Sequence, residues 1–186
     1  MSVYTVGHST RTVAEFGALL RESAIEVVAD VRSIPRSRTN PQFNLDVLPV
    51  SLAEFGISYQ HFPELGGRRH HPRGAPPSPN TFWRNASFRN YADYAMTDTF
   101  RIGLSHLRDL AADRRCALMC AEALWWRCHR RIIGDYLLAQ DVPVVHIMGP
   151  GKTEPAILTT SALQQSDGTL VYRLSPQKGE RPLCWD

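Results

Sequence analysis

The sequence predicts an α/β fold: a single-domain, Rossmann-like three-layer α/β/α arrangement on a mainly parallel sheet of about five strands. Three observations carry this expectation. Short β-rich apolar runs alternate with helix-period segments through most of the chain. Val27, Val28, Ala29 and Val31 form a nearly continuous apolar run, the pattern of a strand buried on both faces of a parallel sheet. The length of 186 residues, at 43% hydrophobic and 21% charged, suits one globular domain. Such a chain buries roughly two-thirds of its unfolded surface and needs no disulfide or zinc staple to fold.

The first strand is expected at residues 3–6 and stops at Gly7-His8-Ser9-Thr10. Thr12-Val13-Ala14-Glu15 has capping-box spacing, and Phe16, Leu19 and Leu20 supply the apolar face of the helix that follows. A second strand fills 25–31. Residues 45–55 read as a helix with Pro49 near its first turn and Gly56 at its end. The third strand is expected at 57–62. Residues 63–80 then hold five prolines, three glycines and a basic cluster. The stretch 63–84 is therefore a long basic Pro/Gly-rich loop, of a length that is usually functional or mobile. Helices are expected at 88–96 and 100–112, with Thr97-Asp98 as the cap signal between them. A fourth strand follows at 116–120. A helix at 127–140 turns Ile132, Ile133, Tyr136 and Leu137 inward, and a fifth strand fills 142–148. Residues 149–186 form a less regular extension with one edge strand at 170–172. No repeat or linker divides 1–186.

The charge is +3, a mild excess that alone implies no nucleic-acid partner. Nineteen of the 21 basic residues are arginine; the exceptions are Lys152 and Lys178. Arginine's rigid fork suits carboxylates and phosphates, and codon usage in a GC-rich genome is the alternative source of the number, so placement carries more information. No apolar run approaches the ~18 residues of a membrane span. Met1-Ser2-Val3-Tyr4-Thr5 lacks the basic and apolar regions of a signal peptide, so a cytoplasmic location without a membrane partner is expected. The cysteines Cys116, Cys120, Cys128 and Cys184 then read as free thiols. Cys116 and Cys120 share a strand face about 13 Å apart, which rules out a mutual disulfide.

Ligands of open parallel sheets bind outside the carboxyl ends of the strands. Here those ends carry nearly all the chemistry. The first delivers His8 and Ser9, and the second Asp30 and Arg32. The third delivers Glu64, Gly66, Gly67, Arg68 and Arg69, the fourth Cys120 and Glu122, and the fifth His146.

Several motifs recur together in one family. Tyr4-Thr5-Val6-Gly7-His8-Ser9, Asp30-Val31-Arg32-Ser33-Ile34-Pro35-Arg36-Ser37 and Asn40-Pro41-Gln42-Phe43 form the first half of the pattern. Leu65-Gly66-Gly67, Cys120-Ala121-Glu122, Cys128-His129-Arg130 and Val145-His146-Ile147 complete it. In these residues, in this order, the chain resembles the family of domain of unknown function 488 (DUF488). The resemblance implies a compact α/β domain and assigns no reaction. The stretch Ala123-Leu124-Trp125-Trp126-Arg127 departs from it, being bulkier than the polar, often proline-containing segment of the family.

Cys120 leaves a strand for a loop that leads into a helix, an arrangement that resembles the reactive loops of rhodaneses and cysteine phosphatases. Six residues separate Cys120 from Arg127, one more than in the phosphatase loop, and Glu122 lies within it. The candidate catalytic groups are Cys120 as nucleophile, Glu122 as base or as a bridge to Arg32 or Arg130, and His8 as a neutral base at a helix N-terminus. Ser9, Asp30, Arg32, Arg36, Glu64, Gly66, Gly67, Arg68, Cys128, His129 and Arg130 are the candidate binding residues. On a regular helix Cys128 points about 100° away from His129, so the two are not expected to share a metal, and no metal or cofactor is expected. Gly151-Lys152-Thr153 lacks the upstream glycine of a phosphate-binding loop.

Two functional readings follow. One is an enzyme acting on a phosphate-bearing or other anionic small molecule. The other is a nucleic-acid-binding module, in which the loop 68–84 stacks Phe82 and Trp83 on bases and holds phosphates with arginine. A ligand-free scaffold is a third reading, and it requires every buried arginine to be paired with a protein carboxylate.

Overall fold

Along the central strands, neighbouring side chains turn to opposite faces, and this period of two builds two cores. A computed structural model describes residues 1–174. Residues 175–186, Lys178 and Cys184 among them, lie outside the described residues. In chain order the elements are β1 (Val3–Gly7), α1 (Val13–Glu22), β2 (Val27–Asp30), α2 (Leu48–Ala53) and β3 (Ser58–His61). Next come α3 (Ala86–Tyr94), α4 (Asp98–Asp113), β4 (Cys116–Cys120), α5 (Arg130–Leu138) and β5 (Val144–Gly149). The described part ends with β6 (Lys152–Pro155), β7 (Ala162–Gln164) and β8 (Leu170–Tyr172).

Six strands form one sheet in the order β3-β2-β4-β1-β5-β6. The first five are parallel, and β6 runs antiparallel to β5. Val28, Ala117 and Met119 share one core with Phe16, Leu19 and Leu20 of α1 and with Leu48 and Leu52 of α2. Val27, Ala29, Cys116, Leu118 and Cys120 share the other with residues of α3, α4 and α5. The result is the three-layer α/β/α fold that the alternation of strand and helix predicts. Each fully buried Leu or Phe in these layers contributes about 1.5–3 kcal/mol.

Two local signals hold in detail. Thr12 caps α1 in a reciprocal capping box with Glu15, and Thr97 caps α4. Three features differ from expectation. The sixth strand, Lys152-Thr153-Glu154-Pro155, is polar, because an edge strand is held by its backbone pairing and needs no apolar side chains. The strand at 170–172 pairs with β7 in a separate two-stranded sheet. Finally, α5 starts at Arg130 instead of residue 127. Trp125–Arg127 form a 3₁₀ turn, and Cys128 is extended at φ −123°, ψ 148°. Among the described residues no helix is long and apolar enough to cross a membrane.

Candidate active site

β4 lies between β2 and β1, so the segments leaving these three strands meet at one edge of the sheet. They surround a cavity of about 410 Å³ with walls that include His8, Arg32, Cys120, Glu122, Cys128 and His129. Chain segments come very close here. A Cβ on Gly7 would stand 2.0 Å from the carbonyl oxygen of Glu122, so only glycine fits at the end of β1.

The β2 side of the cavity is a closed polar network. Asp30 is fully buried, and its carboxylate accepts from Arg32 Nε at 2.9 Å, from Arg32 Nη2 and from the Tyr59 hydroxyl at 2.7 Å. Arg32 Nη2 also donates to the carbonyl of Phe43 at 2.7 Å. The His61 ring Nε2 donates to the carbonyl of Arg32. His8 stacks on the Phe43 ring with centroids 4.0 Å apart. A carbonyl only accepts, so His8 Nδ1 carries the proton that it donates to Ser9 O at 2.9 Å. Nε2 is then the acceptor facing Arg32 Nη1 at 3.3 Å. Burial first, and Arg32 second, lower the pKa of His8 to about 4. A helix dipole is not the cause, since α1 begins only at Val13 with Thr12 as its cap.

The β4–α5 side is built differently. Cys128 sits between the 3₁₀ turn and α5, where the helix N-terminus adds positive potential. His129 Nε2 donates to Val31 O at 2.9 Å, which leaves Nδ1 as an acceptor 3.5 Å from Cys128 Sγ. Arg130 is 1% exposed; its Nε donates to Cys128 Sγ at 3.3 Å and its Nη2 to the carbonyl of Glu122. The four ion pairs among the described residues do not include Arg130. The one ionisable group among its hydrogen-bond partners is the thiol of Cys128. Burial alone pushes the Cys128 thiol up, but the Cys120 thiol, His129 and Arg130 outweigh it and hold Cys128 well below the ordinary thiol value. Cys120 is pushed the other way, by the neighbouring Cys128 and by its burial. Of the two sulfurs, Cys128 is the one that accepts from Arg130 Nε and lies at the start of a helix.

The sequence-predicted residues divide accordingly. Arg36, Gly67 and Arg68 line the cavity with the groups already described. Gly67 is glycine because a Cβ there would stand 2.4 Å from His129 Nδ1. Arg36 is exposed and lies 3.7 Å from Asp46, and the Arg68 amide is anchored on Ser33 Oγ. The Glu122 carboxylate accepts from the Leu124 amide of its own loop at 3.1 Å and bridges neither Arg32 nor Arg130. Ser9 is left-handed at φ 51°, and its amide holds Ala121 O. Glu64 and Gly66 are not among the cavity walls; Glu64 Cβ packs beside Gly103 of α4. His146 is also elsewhere, bonded to Thr5 and stacked on Trp125. Phe82 is partly buried against the core, and Trp83 is buried within it.

Sequence reasoning missed Phe43 and Tyr59, which fix His8 and Asp30, and Tyr91, whose ring lies against His129. Phe43 closes the Asn40-Pro41-Gln42-Phe43 motif, which was the available signal. Cys128 and His129 also depart from expectation. Because Cys128 precedes the helix, the sulfurs of Cys120 and Cys128 and a ring nitrogen of His129 lie within 4.8 Å of one another. This donor set suits a soft metal such as zinc. The buried guanidinium on Cys128 Sγ opposes a dication there.

The family model for domain of unknown function DUF488 matches residues 12–137. No curated protein matches the chain, and no solved structure does.

Proposed function

The chain belongs to the DUF488 family, whose description assigns no reaction, and we propose that it is an enzyme using the Cys128 thiolate on a phosphate-bearing or other anionic small molecule. One observation carries this reading: a buried guanidinium, Arg130, is bonded to the Cys128 sulfur and has no carboxylate partner among the described residues. An unpaired buried charge costs several kcal/mol, and ionising the thiol removes that cost. His129 Nδ1 accepts the thiol proton, while Val31 O keeps the ring oriented. The exposed arginines Arg36, Arg68 and Arg127 line the same cavity and supply the positive rim an anion needs. About 410 Å³ fits a small metabolite.

Alkylation by iodoacetamide, followed by peptide mapping across pH, tests the reading. Cys128 is expected to react first, with a midpoint well below the ordinary ~8.5, and inorganic phosphate is expected to slow it. A midpoint near 8.5 with no protection overturns it. The nucleic-acid reading keeps only the arginines of the basic loop in support. Oligonucleotide binding that weakens steeply with salt is the result that would favour it.

A further inference from the structure

We propose that Cys120 is the resolving partner of Cys128, so that oxidation of the site by a hydroperoxide ends in a reversible Cys120–Cys128 disulfide. The inference rests on the reading of Cys128 as the nucleophile and goes beyond it, because a simple transfer reaction has no use for a second thiol. Both cysteines line the same cavity, and their sulfurs lie within 4.8 Å of each other. Cys120 is fixed at the end of β4, whereas Cys128 lies between two helical segments and not inside a regular element. The sulfur that accepts from a guanidinium therefore also belongs to the segment freer to adjust. Cys116, the other described cysteine, is fully buried at the start of β4 and lines no part of the cavity.

The chemistry balances. The Cys128 thiolate attacks the terminal oxygen of the hydroperoxide; the O–O bond breaks, and the alkoxide leaves as alcohol after taking a proton. Cys128 is then a sulfenic acid. Cys120 loses its proton and attacks Cys128 Sγ, the S–O bond breaks, and hydroxide leaves with that proton as water. Two thiols and one hydroperoxide become a disulfide, an alcohol and water. Arg130, beside the sulfur, stabilises the attacking thiolate and the developing negative charge on the leaving oxygen.

The test uses the full chain, reduced and then exposed to one equivalent of cumene hydroperoxide. The expected result is a Cys120–Cys128 bridged peptide on non-reducing mapping, loss of two free thiols, and full recovery with dithiothreitol. In Cys120→Ser the expected product is a Cys128 sulfenic acid that dimedone traps, and in Cys128→Ser consumption of the peroxide slows at least tenfold. If the Cys120 substitution fails to fold, the map of the unaltered chain still decides. A wild-type chain that alkylates readily at Cys128 but accumulates sulfenic or sulfinic acid overturns the pairing and leaves the nucleophile reading standing. Bridges from Cys128 to Cys116 or Cys184 overturn it, as does one tightly held zinc per chain that protects both thiols. An ordinary alkylation profile at Cys128 instead removes the nucleophile reading itself.

Discussion

Two buried arginines lie on either side of the cavity, and they are neutralised in opposite ways. Arg32, at the end of β2, is closed on Asp30 by two guanidinium bonds, with Tyr59 on the same carboxylate and Phe43 on the same guanidinium. Arg130, at the start of α5, meets a sulfur and a backbone carbonyl. The histidines follow the same division. Burial, and Arg32 facing its free nitrogen, keep the His8 ring neutral, while the free nitrogen of His129 faces the thiol. A group already saturated by protein partners holds geometry; a group whose best partner is a titratable sulfur is available for chemistry. Arg32, a candidate binding residue, lines the cavity with its charge already paired with Asp30.

Substitutions test this contrast. The largest effect is expected from Asp30→Asn, which strands Arg32 in the interior and lowers stability by about 3–5 kcal/mol in urea unfolding. A loss under ~1 kcal/mol would show that Arg32 is not held as described. Acid comes next. His8, held near pKa 4, stays neutral in the folded chain while the unfolded chain protonates near 6.5. Stability therefore falls as the pH drops from ~6.5 toward ~4, and His8 accounts for about 3 kcal/mol of that fall. His8→Gln should flatten this part of the pH profile, and an unchanged slope would separate His8 from the Arg32 network.

Arg130→Met should behave in the contrary way. Replacing a buried cation that lacks a carboxylate with an apolar chain leaves stability within about 1.5 kcal/mol, yet moves the alkylation midpoint of Cys128 up by about one unit or more. Destabilisation as large as that of Asp30→Asn, with the midpoint unmoved, would erase the distinction between the two arginines. The smallest effect belongs to Arg36→Ala. Its exposed contact with Asp46 is worth less than ~0.5 kcal/mol, so the expected change is a loss of phosphate protection of Cys128 without a change in unfolding.

Much of the frame was legible in the chain. The capping box at Thr12, the apolar run at 25–31 and the strand Cys116–Cys120 each encode their element locally, and together they bring His8, Arg32 and Cys120 to one edge. The place of Cys128 beside Cys120 was not legible, because it turns on where a helix begins. Helical period extends through 127–140, but the packing of Trp125 against His146 and the bond from Cys128 N–H to Trp125 O make a 3₁₀ turn, and this frees Cys128 from the helix. Glu64 misled for a related reason: it follows a strand end, yet the Pro63–Leu65 turn carries it toward α4. Spacing along the chain does not report such tertiary choices.

The position of β4 has a consequence for biosynthesis. β1 and β2 are near in sequence but never touch, since each pairs with β4, which begins only at Cys116. A growing chain therefore leaves the ribosome with its first two strands unjoined until well past its midpoint. Closure of the sheet and creation of the reactive pocket then coincide in one late long-range step. A truncated product ending before Cys116 would lack the strand that holds His8 and Arg32 in contact.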